Sequence, residues 1–308
     1  MGWSIKKTEA LMNHLADFSD PKTAKLYADV PEEELRKFRA FCEAYPYRSI
    51  RYRGIEWPYL LSSGGGEPLL ILSGALTHPD ISWNSIAHFG GKYRIVVPAY
   101  PAVRTMDELC DGMAAILQHE GIRRTHVMGG SYGGFVGQVF VRRLPAVTRS
   151  LVLSHTTVPD PTGIQSTRRM LKGLSLLPAF ALRWVLGRML GKLMPADASS
   201  PSMLLMLAMF HEIMDHHLKK PDFLGILDRT LDFYGRVWSA EDLAGWRGKI
   251  LLVLAEDDPA SPERVRTAFQ KLYPQAEWKL FRGGGHTTAV SSQEEYQAAI
   301  DGFLQAQS

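Results

Sequence analysis

The chain has 308 residues, 45% of them hydrophobic and 22% charged, with a formal net charge of +3 at pH 7. This composition excludes a disordered, collagen-like or coiled-coil chain, and so small a charge without a Lys/Arg-rich run leaves no footprint for nucleic acid. The length fits two domains, or one large α/β domain carrying an insertion. The two cysteines, Cys42 and Cys110, cannot make a disulfide framework and form no CxxC. A reducing, cytoplasmic location is the simpler expectation.

The first residues, Met1–Leu15, include Lys6 and Lys7 but no continuous apolar stretch and no small-residue cleavage site, so no targeting segment is expected. Residues 1–48 read as a helical extension. Leu11, Leu15 and Phe18 share one helical face, Asp20-Pro21 reads as a helix start, and Val30-Pro31 followed by three glutamates reads as another. Strand character follows over residues 50–61, then the turn Gly64-Gly65-Gly66.

From there short apolar runs alternate with helical patterns. Strands are predicted at 69–73, 94–98, 125–128, 150–154, 250–255 and 277–281. Helices are predicted at 106–120, 132–143, 262–273 and 292–305. Near-continuous Val/Ile/Leu runs suit strands covered on both faces, hence a mostly parallel sheet. Residues 156–240 break this rhythm. They hold no convincing strand, are rich in Met, Leu and Trp, and are interrupted by Pro178, Pro195, Pro201 and Pro221. The expected organisation is an α/β core over 49–155 and 241–308, with a helical cap inserted at 156–240. The apolar stretches within that cap are too short or too interrupted to span a bilayer. Ala179–Leu193 is apolar and carries Arg183, Arg188 and Lys192, but these form no clear polar face in the sequence, which argues against docking on a membrane.

The strongest chemical signal is G-x-S-x-G at Gly129-Gly130-Ser131-Tyr132-Gly133, between a predicted strand and a predicted helix. A sharp strand–nucleophile–helix turn holds the serine in a crowded backbone, and Gly129 and Gly133 relieve the crowding. The Tyr132 N–H then faces a developing oxyanion. A serine hydroxyl needs a base to be a nucleophile at neutral pH. Of the ten histidines, His286 lies in Gly283-Gly284-Gly285-His286, a loop after the last strand that can return an imidazole to the sheet edge. An acid should orient that imidazole, and Asp258, after strand 250–255, is the choice, with Asp257 the alternative. Asp160 reads as a turn residue. The order Ser131, Asp258, His286 is that of α/β-hydrolases. The second oxyanion donor is expected from Ser73-Gly74-Ala75, at the N–H of Ala75, with His78 a loop histidine nearby. His211-Glu212 followed by His216 imitates a zinc motif, but the spacing is wrong by one residue, so no metal is expected. No dinucleotide fingerprint is present, and no cofactor is expected.

These pieces, with Trp83, resemble the α/β-hydrolase superfamily over roughly residues 50–308. One departure stands out: after strand 94–98 the chain reads Pro98-Ala99-Tyr100-Pro101-Ala102-Val103, then Glu108-Leu109-Cys110-Asp111-Gly112. This variant is similar to that of maspardin-like proteins, as are Gly133-Gly134-Phe135-Val136-Gly137-Gln138, Leu177-Pro178-Ala179-Phe180 and Lys271-Leu272-Tyr273-Pro274. Maspardin-like proteins are regarded as non-catalytic binders without a complete triad, whereas Asp258 and His286 stand here where an active enzyme needs them. The expectation is a carboxylesterase-like serine hydrolase acting on a small apolar ester. Ser131 in the nucleophile position disfavours dehalogenase and epoxide hydrolase chemistry. The alternatives are an aminopeptidase of the proline-iminopeptidase type, using Glu212 and Asp215 to hold an ammonium, and a non-catalytic adaptor.

Overall fold

A computed structural model describes residues 13–193 and 199–307. Its centre is an eight-stranded sheet formed by β1 (Tyr47–Tyr52), β2 (Ile55–Leu61), β3 (Pro68–Leu72), β4 (Arg94–Pro98), β5 (Thr125–Gly130), β6 (Thr148–Ser154), β7 (Ile250–Ala255) and β8 (Glu277–Phe281). The spatial order is β1-β2-β4-β3-β5-β6-β7-β8. The predicted 50–61 strand is therefore two strands. They form an antiparallel hairpin turning at Arg53 and Gly54, both at positive φ (49° and 77°), the backbone that a tight two-residue hairpin needs. β2 also pairs antiparallel with β4, and the remaining pairs are parallel.

The inner strands β3 to β7 are buried because helices cover both faces, whereas β8 at the edge is partly exposed. One core cluster joins Leu69, Ile71, Ile95, Val97 and Val152, and the other joins Leu70, Leu72, Val96, Leu151 and Leu153, so alternate residues of the same strands face opposite layers. The helices are α1 (Pro21–Leu26), α2 (Glu32–Ala44), α3 (Trp83–Phe89), α4 (Met106–His119), α5 (Tyr132–Arg143), α6 (Ile164–Leu176), α7 (Ala179–Gly191), α8 (Pro201–Glu212), α9 (Lys220–Tyr234), α10 (Glu263–Leu272), α11 (Thr288–Ser291) and α12 (Gln293–Gln305). Between β6 and β7 the described residues hold helices and no strand. No helix among the described residues is long and apolar enough to cross a membrane.

The N-terminal expectation needs correction. Leu15 and Phe18 lie outside any helix, and Leu11 lies outside the described residues. Backbone N–H groups there find buried carboxylates instead. Leu15 N donates to Asp80 (2.8 Å) and Ala16 N to Glu212 (2.9 Å), which replaces the intrahelical bonds. The two helix starts stand as read. Asp20 caps α1 by accepting from Lys22 N, and Glu32, Glu33 and Glu34 occupy the first turn of α2.

Candidate active site

In a parallel sheet the strand ends that point the same way bring distant loops together at one edge. Ser131 follows β5, Ala75 follows β3, His155 follows β6, Asp258 follows β7 and His286 follows β8, so all five gather at the carboxyl edge. Ser131 sits at φ 52°, ψ −121°, in the positive-φ region that a non-glycine residue rarely adopts. The turn is held by Ser131 N donating to Ser154 O (2.8 Å) and by the Thr156 hydroxyl donating to Ser131 O (2.8 Å). Its glycines are obligatory. A Cβ at Gly129 would lie 2.2 Å from Gly133 O, and one at Gly133 would lie 2.0 Å from Leu72 O. Gly74 brings the β3 loop against this turn, since a Cβ there would touch the Ser131 Cβ at 3.8 Å. The Tyr132 N–H opens α5, and its ring is fixed by buried Arg229. This guanidinium donates to the Tyr132 hydroxyl (2.6 Å) and to the carbonyls of Pro101 (3.1 Å) and Val103 (2.5 Å).

His286 Nδ1 lies 3.0 and 3.1 Å from the two carboxylate oxygens of Asp258. Asp258 is fully buried, while Asp257 is exposed and accepts from Gly285 N (3.0 Å), bracing the loop that carries the histidine. Of the two candidate acids, Asp258 is thus the one that reaches His286. Burial alone would raise the carboxyl of Asp258. Hydrogen bonds from His155 and His286, with the Ala260 N–H (2.8 Å), outweigh it and hold the group well below the usual carboxylate range. With Nδ1–H on Asp258, the lone pair of neutral His286 is at Nε2. That atom is buried and has no hydrogen-bond partner among the described residues.

His155 was not singled out in the sequence. It is buried, has φ 45°, and directs Nδ1 to Asp258 at 3.2 Å. Burial pushes its pKa down, against the pull of Asp258. Its signal is positional: it is the first residue past β6, the strand paired with β7, which carries the acid.

Ser131 and His286 line two neighbouring spaces. One, of about 220 Å³, is walled by Ile71, Leu76, Met128, Met206 and Phe210. The other, of about 690 Å³, runs beneath α6, α7 and α9 past Leu171, Leu186, Leu190 and Leu227. Several sequence readings fall elsewhere. His78 is fully buried beside Tyr47 and His217 rather than in a solvated loop, and burial pushes its pKa down to about 4. Glu212 is not free to hold a substrate ammonium. It is buried and accepts from Tyr27 (2.5 Å) and Ala16, with His217 at 3.4 Å. Asp215, His211 and His216 are exposed, and the chain passes through a π-helical turn at Ile213–His217. Asp160 is a turn residue as read, accepting from Thr162 and Gly163 N.

An eight-stranded, mostly parallel sheet with a strained serine at the β5–α5 turn defines an α/β hydrolase. The family model described as "Alpha/beta hydrolase family" matches residues 60–299, and the chain belongs to this family. Human maspardin is 31% identical over 120 residues, a match covering 38% of each chain, so the chain spans well under half the length of the curated relatives it matches. Among solved structures, a hydrolase from Pseudomonas aeruginosa PA01 superposes with a TM-score of 0.69 at 16% identity, covering 84% of this chain and 98% of that one. A thermophilic esterase from Thermogutta terrifontis, with malate bound, superposes with a TM-score of 0.69 at 19% identity, covering 85% and 98%. At such identities these structures speak for the fold.

Proposed function

We propose that this protein is a serine hydrolase cleaving an ester with an apolar acyl or alcohol part, with the helices of 156–240 as a cap over its site. The observation that carries this reading is the His286–Asp258 hydrogen bond, with His286 Nε2 left without a partner among the described residues in a cavity of apolar walls that Ser131 also lines. His286 Nε2 takes the Ser131 proton as Oγ bonds to the carbonyl carbon. The N–H groups of Ala75 and Tyr132 stabilise the oxyanion. The C–O bond to the alcohol then breaks, and the alcohol leaves with the proton held by His286. Water, deprotonated by the same imidazole, hydrolyses the acyl-enzyme and restores Ser131. The small net charge and the cysteine usage fit a neutral substrate and a reducing compartment.

The test is labelling with a fluorophosphonate probe and turnover of p-nitrophenyl esters of graded chain length. Both should be present in the wild type and absent in Ser131→Ala and His286→Ala. Labelling that survives Ser131→Ala would sink the assignment. A wild type inert to probe and esters alike would favour a non-catalytic binder, the reading that the partial likeness to maspardin supports. Of the two acids the peptidase reading called on, Glu212 is bound by Tyr27 within the fold and only Asp215 is exposed, which disfavours that reading.

A further inference from the structure

We infer that the outer faces of the consecutive helices α6 and α7 are a docking face for the surface of an anionic lipid bilayer. Residues 163–193 contain six cations (Arg168, Arg169, Lys172, Arg183, Arg188 and Lys192) and no aspartate or glutamate. The nearest preceding acid, Asp160, is bound to Thr162 and Gly163. The same two helices carry Met170, Leu176, Phe180, Trp184 and Met189 exposed, with Phe180 74% and Trp184 64% exposed. The other exposed large hydrophobics among the described residues, Ile55, Val237 and Leu280, lie on separate elements.

The folded helices resolve what the linear sequence left scattered. Leu171 and Leu182 turn inward and are buried, so α6 and α7 each already have a packed face. Their outer faces are a second, unpartnered set. Phe180, Trp184 and Arg188 follow one another at four-residue spacing along α7, and Leu176 adjoins them across the Leu177-Pro178 corner. The Arg188 guanidinium lies 5.3 Å from the Trp184 ring centre. Arg168, Arg169 and Lys172 are exposed on the adjoining helix. Large apolar and aromatic side chains on two helices that carry cations and no acid of their own match the boundary between acyl chains and anionic headgroups. Trp and Phe settle at headgroup depth there and cations meet phosphates.

The face also abuts the entrance to the site. Met170 and Met189, both exposed, line the larger cavity that reaches Ser131 and His286. Resting on the proposed hydrolase reading, this placement makes the substrate an amphiphile drawn from a membrane, with its apolar chain passing between α6 and α7. The docking itself does not depend on catalysis.

Co-sedimentation of the full chain with vesicles tests it. Vesicles of phosphatidylcholine containing about one-third phosphatidylglycerol should bind the protein at least about tenfold more tightly than pure phosphatidylcholine, and high salt should weaken the binding. Arg168→Gln/Arg169→Gln/Lys172→Gln should bind about 100-fold more weakly. Phe180→Ala/Trp184→Ala should lose binding, and both variants should keep the wild-type Tm. Absence of wild-type binding, equal binding to both vesicle types, or binding that neither variant weakens would overturn the proposal. So would a wild-type dimer in analytical ultracentrifugation that Phe180→Ala/Trp184→Ala splits, because the face would then belong to a second copy. Esterase activity on a soluble ester, measured alongside, separates failure of docking from failure of the catalytic reading.

Discussion

His155 and His286 direct their Nδ1 atoms at the same carboxylate oxygen, Asp258 Oδ2, at 3.2 and 3.0 Å, with ring centres 5.9 Å apart. A single acid therefore serves two imidazoles and also accepts from Ser261 and Ala260 N, which uses its lone pairs fully. Sharing disperses the negative charge that would otherwise act on His286 alone. His155→Phe should fold and keep kcat/KM within about tenfold. A loss as deep as that of Asp258→Asn would mean that His155 itself meets the substrate.

The two adjacent acids should separate cleanly. Asp258→Asn removes the charge on His286 Nδ1 and should lower kcat by a factor on the order of 10⁴, the scale of the same change in the triad of a serine protease. Asp257→Asn weakens only the brace to Gly285 N and should cost less than about tenfold. Ester turnover by the two purified variants checks this.

Gly133→Ala places a methyl 2.0 Å from the Leu72 carbonyl, a backbone atom with no flexible tip to swing aside. The variant should lose about 3 kcal/mol in urea unfolding and all probe labelling.

Arg229 is buried and its partners are uncharged: a hydroxyl and two carbonyls. Arg229→Met strands the Pro101 and Val103 carbonyls and frees the Tyr132 ring. It should destabilise the protein by about 3 kcal/mol and lower kcat more than it raises KM. Arg229→Lys should recover only part, because an ammonium cannot span all three acceptors.

His78 supplies a pH dependence. Its pKa is about 6.5 when unfolded and about 4 when folded, because burial penalises the cation. Between those values the unfolded chain binds more protons, so stability is full above about pH 6.5 and falls as pH drops toward about 4, by up to about 3 kcal/mol. Denaturant midpoints across this range should show the decline, and His78→Asn should flatten it.

Much of the sheet was legible because its inner strands, β3 to β7, are largely buried and, β3, β4 and β7 above all, read as Val/Ile/Leu runs. The bounds of β4, β7, β8 and α5 coincide with those read from the residues. The hairpin of β1 and β2 was read as one strand because its turn is only Arg53-Gly54. Leu15 and Phe18 misled because helical spacing persists where the backbone is bound by Asp80 and Glu212, acids far along the chain.

By itself the sequence determined the elements of the elbow and the order Ser131, Asp258, His286, since a strand–Gly-x-Ser-x-Gly–helix turn is a local demand on the backbone. Only the tertiary structure decided which acid reaches His286, because Asp257 and Asp258 are neighbours in the chain, yet one is exposed against Gly285 N and the other buried against the imidazole. It alone set His155 beside Asp258, a pairing that depends on β6 lying next to β7. It also turned the basic, apolar stretch of 163–193 into an outward face, because burial of Leu171 and Leu182 fixes which side of each helix meets solvent.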